Sequence, residues 1–404
     1  MLRLPAVSLL LFPLLAGALS GQQLTPPPSA QPAASVVILS DLIDEAKANN
    51  PAIRAIREKW LASRQEAAAR TWWDQPVLGG EYWFRGGSYM LELSQMILFP
   101  AKTILTYQAG SADATAVKAE LDLRTSAVIG AVKKTYYIYY FAGRKAENAK
   151  ENLALMKDIA ASAGALYASG KVPQSDILSA DAEVARMQNM LLMLDAEKGS
   201  ARLELAALLS RTNAGTLEKP EFDFENFPVM GAVFDVAASP EVRMLAAMVR
   251  SKRAEKNMAV WEWAPDVMLG VKYDPMQGTG LMAGLSVPLY LPKRFAEMKK
   301  ARHEYLSAEN MLRDAANMTR SGLAGLAERY QAGTEAGRNY RTVILPLSRQ
   351  ALALDQTSYA AGRMSFSALL ETSRRYLSDR NEYYDTLAET WTLLAEIDAM
   401  LGIE

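Results

Sequence analysis

Apolar residues change their spacing along the chain in a way that predicts a helix followed by a β-hairpin. Over residues 40–73 they recur three and four positions apart, as on one face of a helix. From 77 to 99 they alternate with polar or small residues, and a glycine pair at 86–87 interrupts the alternation. This second segment therefore predicts two antiparallel strands joined by a turn.

A long helix and a shorter one are predicted after the hairpin. Residues 102–168 contain no proline and are rich in Ala, Leu, Lys and Glu. They predict one helix of about 67 residues, roughly 100 Å long. Gly170 is placed to end it, because glycine readily adopts the left-handed conformation found at helix C-termini. A further helix is predicted over 173–210, with Pro173 in its first turn.

The same order of elements occurs twice. The motif around Tyr167 and Gly170 returns 192 positions later around Tyr359 and Gly362. Such self-similarity is typical of a tandem duplication. We therefore divide the chain into a first structural repeat and a second one, separated by a linker. The limits are 39–211 for the first repeat, 212–230 for the linker and 231–404 for the second repeat.

The second repeat predicts the same elements with one interruption. Its hairpin is predicted at 266–291, its long helix at 293–360 and its last helix at 365–402. Pro346 lies inside the long helix and is expected to kink it, because proline donates no backbone hydrogen bond. In each repeat the two shorter helices together match the long one in length. Each repeat is therefore expected to form a rod about 100 Å long, with the hairpin at one end.

The first 38 residues predict a secretory signal and a leader. Residues 1–20 have a positive start at Arg3, an apolar run and then small residues, the order of a signal peptide. A buried N-terminal helix is the alternative. Residues 21–38 are rich in Pro and Gln and predict an extended leader. The sequence contains no cysteine, so we expect neither disulfides nor a lipid-bearing cysteine.

Composition and motifs argue against several classes of protein. The net charge of −1 gives no basic field for nucleic acid. We find no nucleophile–base pair, phosphate loop or His cluster, so we expect neither an enzyme nor a cofactor. The single histidine, His303, is interpreted as a surface residue. Three methionines at helical spacing could offer soft ligands to copper(I) or silver, but core packing is favoured. They are Met187, Met190 and Met193.

The hairpins have the length needed to cross a bilayer at a tilt, about 9 to 11 residues per strand. The alternative is a soluble antiparallel sheet with one wet face. If the strands cross a membrane, Leu91 and Leu269 face lipid, while Glu92 and Lys272 face the lumen. Four strands cannot close a barrel, so several chains must share one. Four tryptophans flank the hairpins, at a bilayer interface or packed into helix–strand corners. They are Trp72, Trp73, Trp261 and Trp263.

The two glycine turns carry a family resemblance that extends over the chain beyond the leader. The pattern Tyr-x-x-Gly, about six residues, then Asp-Ile/Val-Leu resembles the tip signature of the TolC family of outer-membrane efflux proteins. The first copy has it in full, whereas the second has Ala368 where an aspartate is common and Glu371 where a further tip acid is often found. The matching residues are Tyr167, Gly170, Asp176 and Ile177 in the first copy, and Tyr359, Gly362, Leu369 and Leu370 in the second.

The resemblance implies a mainly α-helical protein with a small membrane β-barrel. It implies a homotrimer with a 12-stranded shared barrel and an α-helical tunnel through the periplasm. The tips would dock to a periplasmic adaptor and an inner-membrane pump of an RND-type tripartite efflux system, and Asp176 and Glu371 would line the pore gate. A periplasmic coiled-coil scaffold or adaptor without a pore is the alternative. The expected docking residues are Tyr167, Ser169, Gly170, Lys171, Tyr359, Ala361, Gly362 and Arg363.

Overall fold

A computed structural model describes residues 38–84, 87–212, 224–231, 234–287 and 290–403. Most of the described chain is helical, and four strands form one sheet. The predicted signal peptide, nearly all of the leader and part of the linker lie outside the described residues. None of the described helices combines the length and the apolar composition that a membrane-spanning helix requires.

The helices follow one another in the predicted order. The first repeat contains α1 (Leu39–Asn49), α2 (Pro51–Ala69), α3 (Pro100–Ala168) and α4 (Gln174–Leu208). The second contains α5 (Pro240–Trp261), α6 (Leu291–Asn339), α7 (Leu345–Ala360) and α8 (Phe366–Leu401). Helix α3 is continuous over 69 residues, in agreement with the absence of proline from its interior.

The prediction of one helix over 40–73 is wrong. The chain breaks at Asn50, whose backbone is extended, and Pro51 begins α2 in the first-turn position that suits proline. The Asn50 side chain stabilises the break on both sides. Its Oδ1 accepts a hydrogen bond from the N–H of Ala52 at 2.9 Å, and its Nδ2 donates to the carbonyl of Leu208 at 2.9 Å. The second of these helices ends at Ala69, short of the predicted limit.

Pro346 interrupts the long helix of the second repeat as predicted, in the form of a π-helical turn. The turn spans Tyr340–Ile344 and joins α6 to α7. A proline ring would clash with the carbonyl four residues earlier, here Thr342, and it supplies no N–H to that group. The wider π turn relieves this conflict without ending the helical path.

The two hairpins form a single antiparallel sheet in the order β1-β2-β3-β4. Its strands are β1 (Val77–Trp83), β2 (Ser88–Ile97), β3 (Asp266–Asp274) and β4 (Gly278–Ser286). The repeats meet where β2 pairs with β3, in a register that sets Leu91 opposite Tyr273 and Glu92 opposite Lys272. Because successive side chains of a strand point to opposite faces of a sheet, this register assigns each paired position to one of two faces.

The two faces of this sheet differ in chemistry. We call the first the apolar face, and it carries Leu78, Tyr82, Tyr89, Leu91, Leu93, Val267, Leu269, Val271, Tyr273, Leu281 and Leu285. The opposite face, called the polar face, carries Gly79, Glu81, Glu92, Ser94, Gly270, Lys272, Gly280 and Gly284, together with methionines and, on β1, Val77 and Trp83. Every residue named on the apolar face is exposed, so the sheet presents an apolar surface that nothing in the described chain covers.

Helix α3 contacts α1, α2, α4, α5 and α8. Midway along it, the end of the linker packs into an aromatic core. Phe224 stacks on Tyr140 with ring centres 3.7 Å apart, and its carbonyl accepts a hydrogen bond from Nε1 of Trp391 at 2.9 Å. The carbonyl of Pro228 accepts another from the hydroxyl of Tyr330 at 2.8 Å. These contacts attach the linker to helices of both repeats.

Candidate functional site

The first glycine turn joins α3 to α4 and closes with a Schellman motif. The N–H of Gly170 donates to the carbonyl of Tyr167 at 2.8 Å. The N–H of Lys171 donates to the carbonyl of Leu166 at 2.9 Å. These two bonds satisfy carbonyls that the helix end leaves without intrahelical partners. Gly170 has a φ of +72°, in the left-handed region that favours glycine.

The second turn, between α7 and α8, has the same backbone. The N–H of Gly362 donates to the carbonyl of Tyr359 at 2.8 Å, and Gly362 has a φ of +71°. The N–H of Arg363 donates to the carbonyl of Ser358 at 2.9 Å. A Cβ added to either glycine would meet nothing within 4 Å. A larger side chain at these positions is therefore disfavoured by the backbone conformation and not by crowding.

The tyrosines of the two turns have different environments. Tyr167 is 44 % exposed, whereas Tyr359 is 3 % exposed and packs edge-on against Phe366 with ring centres 5.8 Å apart. The Tyr359 hydroxyl has no hydrogen-bond partner among the described residues. Burial raises the pKa of Tyr359, and the charge of Asp176 raises it further. The equivalence expected from the repeat therefore holds for the backbone of the turns and not for these side chains.

The remaining tip residues lie at the surface. Ser169, Lys171, Ala361 and Arg363 are all exposed, and the Ser169 hydroxyl donates to the carbonyl of Leu166 at 2.8 Å. Neither Lys171 nor Arg363 forms an ion pair with any described residue. Both cations are exposed beside the glycine turns, and their role in docking stays a prediction.

The two predicted gate acids differ in setting. Asp176 is half-buried in the first turn of α4, close enough to Tyr359 to influence its pKa. Glu371 is exposed on α8, where its charge contributes to raising the pKa of Arg374. Their role at a gate stays a prediction.

A buried ion pair between the repeats was missed from the sequence. Glu183 on α4 is 2 % exposed, and its carboxylate accepts two hydrogen bonds from Arg374 on α8, at 3.0 and 2.6 Å. Arg186 adds a third at 2.8 Å. The Arg374 hydrogen bonds are the main cause of the lowered pKa of Glu183, and burial opposes them. No spacing signal relates two residues 191 positions apart.

Helix α8 is also tied to α7 near the tip. The Thr372 hydroxyl donates to Asp355 Oδ2 at 2.6 Å, and Ser348 donates to Asp379. The tip of the second repeat is therefore held to its own partner helix by hydroxyl–carboxylate bonds and to the first repeat by the Glu183–Arg374 pair.

Some of the predicted methionines and tryptophans are packed in the protein and others are exposed. Met187 is buried in the core and Met190 packs against it, whereas Met193 is exposed, so the three do not share one environment. The described residues contain no group of three His, Cys, Asp or Glu able to hold a metal ion.

Trp72 and Trp73 are exposed at the base of the first hairpin. At the second, Trp263 packs against Phe295 in a helix–strand corner.

No protein-family model and no curated protein matches this sequence. Solved structures match its fold. The outer-membrane channel OprN aligns with a TM-score of 0.79 and 18% identity, over 91% of this chain and 90% of its own. CusC, described in terms of folding and transmembrane channel formation, aligns with a TM-score of 0.81 and 14% identity, over 93% and 95%. The outer membrane protein VceC from Vibrio cholerae aligns with a TM-score of 0.77 and 15% identity, over 91% and 97%.

These likenesses define the class of fold to which the chain belongs. The described chain has the fold of outer-membrane channels, and the resemblance predicted from the tip motifs is confirmed at that level. The predicted mainly helical architecture with two hairpins is confirmed as well.

Proposed function

We propose that this chain is one of three subunits of an outer-membrane exit duct in a tripartite efflux system. The observation that carries the proposal is the sheet at one end of the helical rod. Its apolar face is exposed, and within the described residues β1 and β4 each pair with a single strand. Unpaired edges are not tolerated in hydrocarbon, so a membrane location requires closure with other copies. Three copies would supply 12 strands, enough for a barrel.

The polar face supports a passive, water-filled path. Glu92 and Lys272 lie opposite each other on it, among glycines and a serine. Small and charged side chains suit the lumen of a barrel, whereas leucines and aromatic residues suit its lipid-facing side. The duct would supply a route to the cell exterior and no energy; the inner-membrane pump would supply that.

The tips would make the periplasmic contacts. Lys171 and Arg363 lie at the far end of the rod from the sheet, exposed beside two glycine turns of the same geometry. In this proposal they face a periplasmic adaptor, while Asp176 and Glu371 contribute to the gate. Opening would require the tip helices to move apart, against the ties that hold α8 to its neighbours.

A periplasmic scaffold without a pore is less compatible with the same observation. Such a protein would expose the apolar face to water, and exposed apolar patches of this kind mark membrane or protein contacts. The two functions also differ in location, because a scaffold fractionates with the soluble periplasm and a duct with outer membranes.

The proposal is tested by a pair of adjacent substitutions on β2. Leu91→Arg places a charge on the apolar face, where arginine near the bilayer centre costs about 2–4 kcal/mol. Glu92→Arg makes the matched change on the polar face. We expect Leu91→Arg to reduce the amount of trimer recovered from outer membranes and Glu92→Arg to leave that amount unchanged. Light scattering of the purified protein in detergent identifies the trimer by its mass. A stable wild-type monomer, or equal effects of the two changes, would contradict the proposal.

A further inference from the structure

The helices below the second hairpin carry a concentration of positive charge. Residues 250–256 of α5 contain four Lys or Arg against one Glu, and residues 293–302 of α6 contain five against one. The two helices pack side by side. Across their contact, Nζ of Lys256 lies 4.3 Å from the ring centre of Tyr305. We call the cations around these two helices the basic collar and define it by Arg253, Lys256, Lys299, Lys300 and Arg302.

Much of this charge is not neutralised within the described chain. Arg253, Lys299 and Arg302 are exposed and form no ion pair with any described residue. Lys300 has a partner in Glu304, but its Nζ is 3.8 Å from the carboxylate and its side chain is 74 % exposed. Exposed pairs of this kind are weak, so they compete poorly with another anion. The basic collar therefore presents a net positive surface to its surroundings.

The first repeat shows that helices in this position do not need such charge. At the 192-residue offset, Lys299 corresponds to Tyr107, Lys300 to Gln108 and Arg302 to Gly110. All three counterparts are uncharged, although they occupy the start of the equivalent long helix. The charge at the start of the long helix is thus specific to the second repeat, although at the same offset Lys256 of α5 corresponds to Arg64 of α2.

The basic collar lies next to a group of exposed aromatic side chains at the base of the sheet. Trp261, Tyr290 and Phe295 are all exposed there. From the sheet downward the surface is first apolar, then aromatic, then cationic. This order matches the layers of a bilayer, since aromatic rings favour the interface and Lys or Arg favour anionic headgroups.

The distances along the helices agree with this layering. At 1.5 Å per residue, Lys256 is about 8 Å from Trp261 along α5, and Lys299 is about 12 Å from the start of α6 at Leu291. A headgroup layer is roughly 5–7 Å thick. Side-chain reach and a screening length of about 8 Å extend the contact further. The cations therefore lie within electrostatic range of headgroups if the aromatic residues mark the interface.

We propose that the basic collar binds the anionic headgroups of phospholipids in the periplasmic leaflet of the outer membrane. The inference rests on the membrane location given in the proposed function. Three copies would place three such groups of cations around the duct. Phosphodiester groups are the anions that surface Lys and Arg side chains would meet at that depth.

The test is quenching of tryptophan fluorescence by brominated lipid in reconstituted vesicles. All three proteins carry Trp72→Phe, Trp73→Phe and Trp83→Phe, because these exposed tryptophans of the first hairpin would otherwise dominate the signal. Trp261 and Trp263 beside the collar then report the lipids around it. The protein is reconstituted in phosphatidylethanolamine containing phosphatidylglycerol, with bromine on one lipid or the other. The test variant carries Arg253→Gln, Lys299→Gln and Arg302→Gln. The matched control carries Arg313→Gln, Arg320→Gln and Arg338→Gln, which remove the same charge from exposed sites farther along α6.

We expect the wild type to prefer brominated phosphatidylglycerol by about fivefold or more, since each nearby cation contributes roughly fivefold. The test variant should lose most of that preference and the control should keep it. Equal preferences in all three proteins, or an equal loss in both variants, would overturn the inference while leaving the duct intact. Displacement of the lipid by soluble glycerol phosphate at equal ionic strength would indicate a free-anion site and overturn it too. Failure of the wild type to reconstitute would overturn the membrane location and this inference with it.

Discussion

The two glycine turns share a backbone and differ in what they bury. Both close with the same pair of hydrogen bonds, and both glycines have a φ near +70°. Yet Leu178 after the first turn is 62 % exposed, whereas Leu370 at the equivalent position after the second is 9 % exposed. The tyrosines differ in the same direction. Apolar side chains at the first turn are therefore exposed, whereas the equivalent side chains at the second turn are buried in the core.

The cause of this difference is visible in the second repeat. Phe366 covers Tyr359, and the residue at the matching position of the first repeat is Gln174, which is exposed. A duplicated backbone motif has thus acquired two uses. The second turn buries its apolar side chains between α7 and α8, whereas the first leaves Tyr167 and Leu178 exposed. If both turns dock an adaptor, the apolar part of that contact belongs to the first.

The largest expected difference in stability between the two turns comes from truncating their tyrosines. Tyr359→Ala removes a buried ring from the tip core, and such changes cost about 3–5 kcal/mol. Tyr167→Ala removes an exposed ring and should cost less than about 0.5 kcal/mol. Amide hydrogen exchange measures the local cost, in α7 and α8 for Tyr359→Ala and in the end of α3 and the start of α4 for Tyr167→Ala. Equal protection in the two variants would show that the environments do not differ.

A second test concerns the ion pair that joins the tips of the two repeats. Arg374→Ala leaves the buried Glu183 with Arg186 alone, and removing one partner of a buried pair costs about 3 kcal/mol or somewhat less here, because Arg374 is partly exposed. The control is Arg329→Ala, whose pair with Glu389 has both side chains at least 60 % exposed and contributes less than about 1 kcal/mol. Thermal unfolding in detergent should show a larger loss of stability for Arg374→Ala than for Arg329→Ala. Equal losses would contradict the role of burial in the Glu183–Arg374 pair.

The sequence predicted the elements that depend on local chemistry. The length of α3, whose interior contains no proline, and the alternation in the hairpins follow from composition and period alone. The break at Asn50 was missed because helical spacing continues on both sides of Pro51, although the Asn-Pro pair was a usable signal. The Glu183–Arg374 contact could not be predicted, since surface exposure is the usual state of both residue types and their approach depends on how α4 and α8 pack.

A third test uses the glycines, whose change should affect both turns alike. Gly170→Val and Gly362→Val force a β-branched residue to a positive φ, at a cost of about 1–2 kcal/mol each. The open space around both glycines means that no clash adds to it. We expect export to fall while outer-membrane trimer persists, measured as resistance to an exported compound against trimer abundance. Resistance that falls only in step with lost trimer would make the turns structural and contradict docking.

The smallest expected effect is a pH dependence that belongs to Glu183. Its folded-state pKa is lowered, chiefly by the hydrogen bonds from Arg374. A depressed carboxyl pKa contributes stability above the unfolded value, about 4.3, and that contribution is lost as the pH falls through the folded value. Glu183→Gln lacks the titrating group. The stability gap between wild type and this variant should therefore be widest near neutral pH and should narrow on acidification below about pH 4.

The matched control for this titration is Glu389→Gln, in the exposed pair with Arg329. That pair contributes little, so the difference in stability between the wild type and Glu389→Gln should stay small at every pH. Unfolding midpoints of the three proteins, taken in one detergent from neutral to acidic pH, make the comparison. A gap for Glu183→Gln that stays constant with pH would mean that the carboxylate charge does not hold the two tips together, and the asymmetry between the turns would then rest on packing around Tyr359 alone.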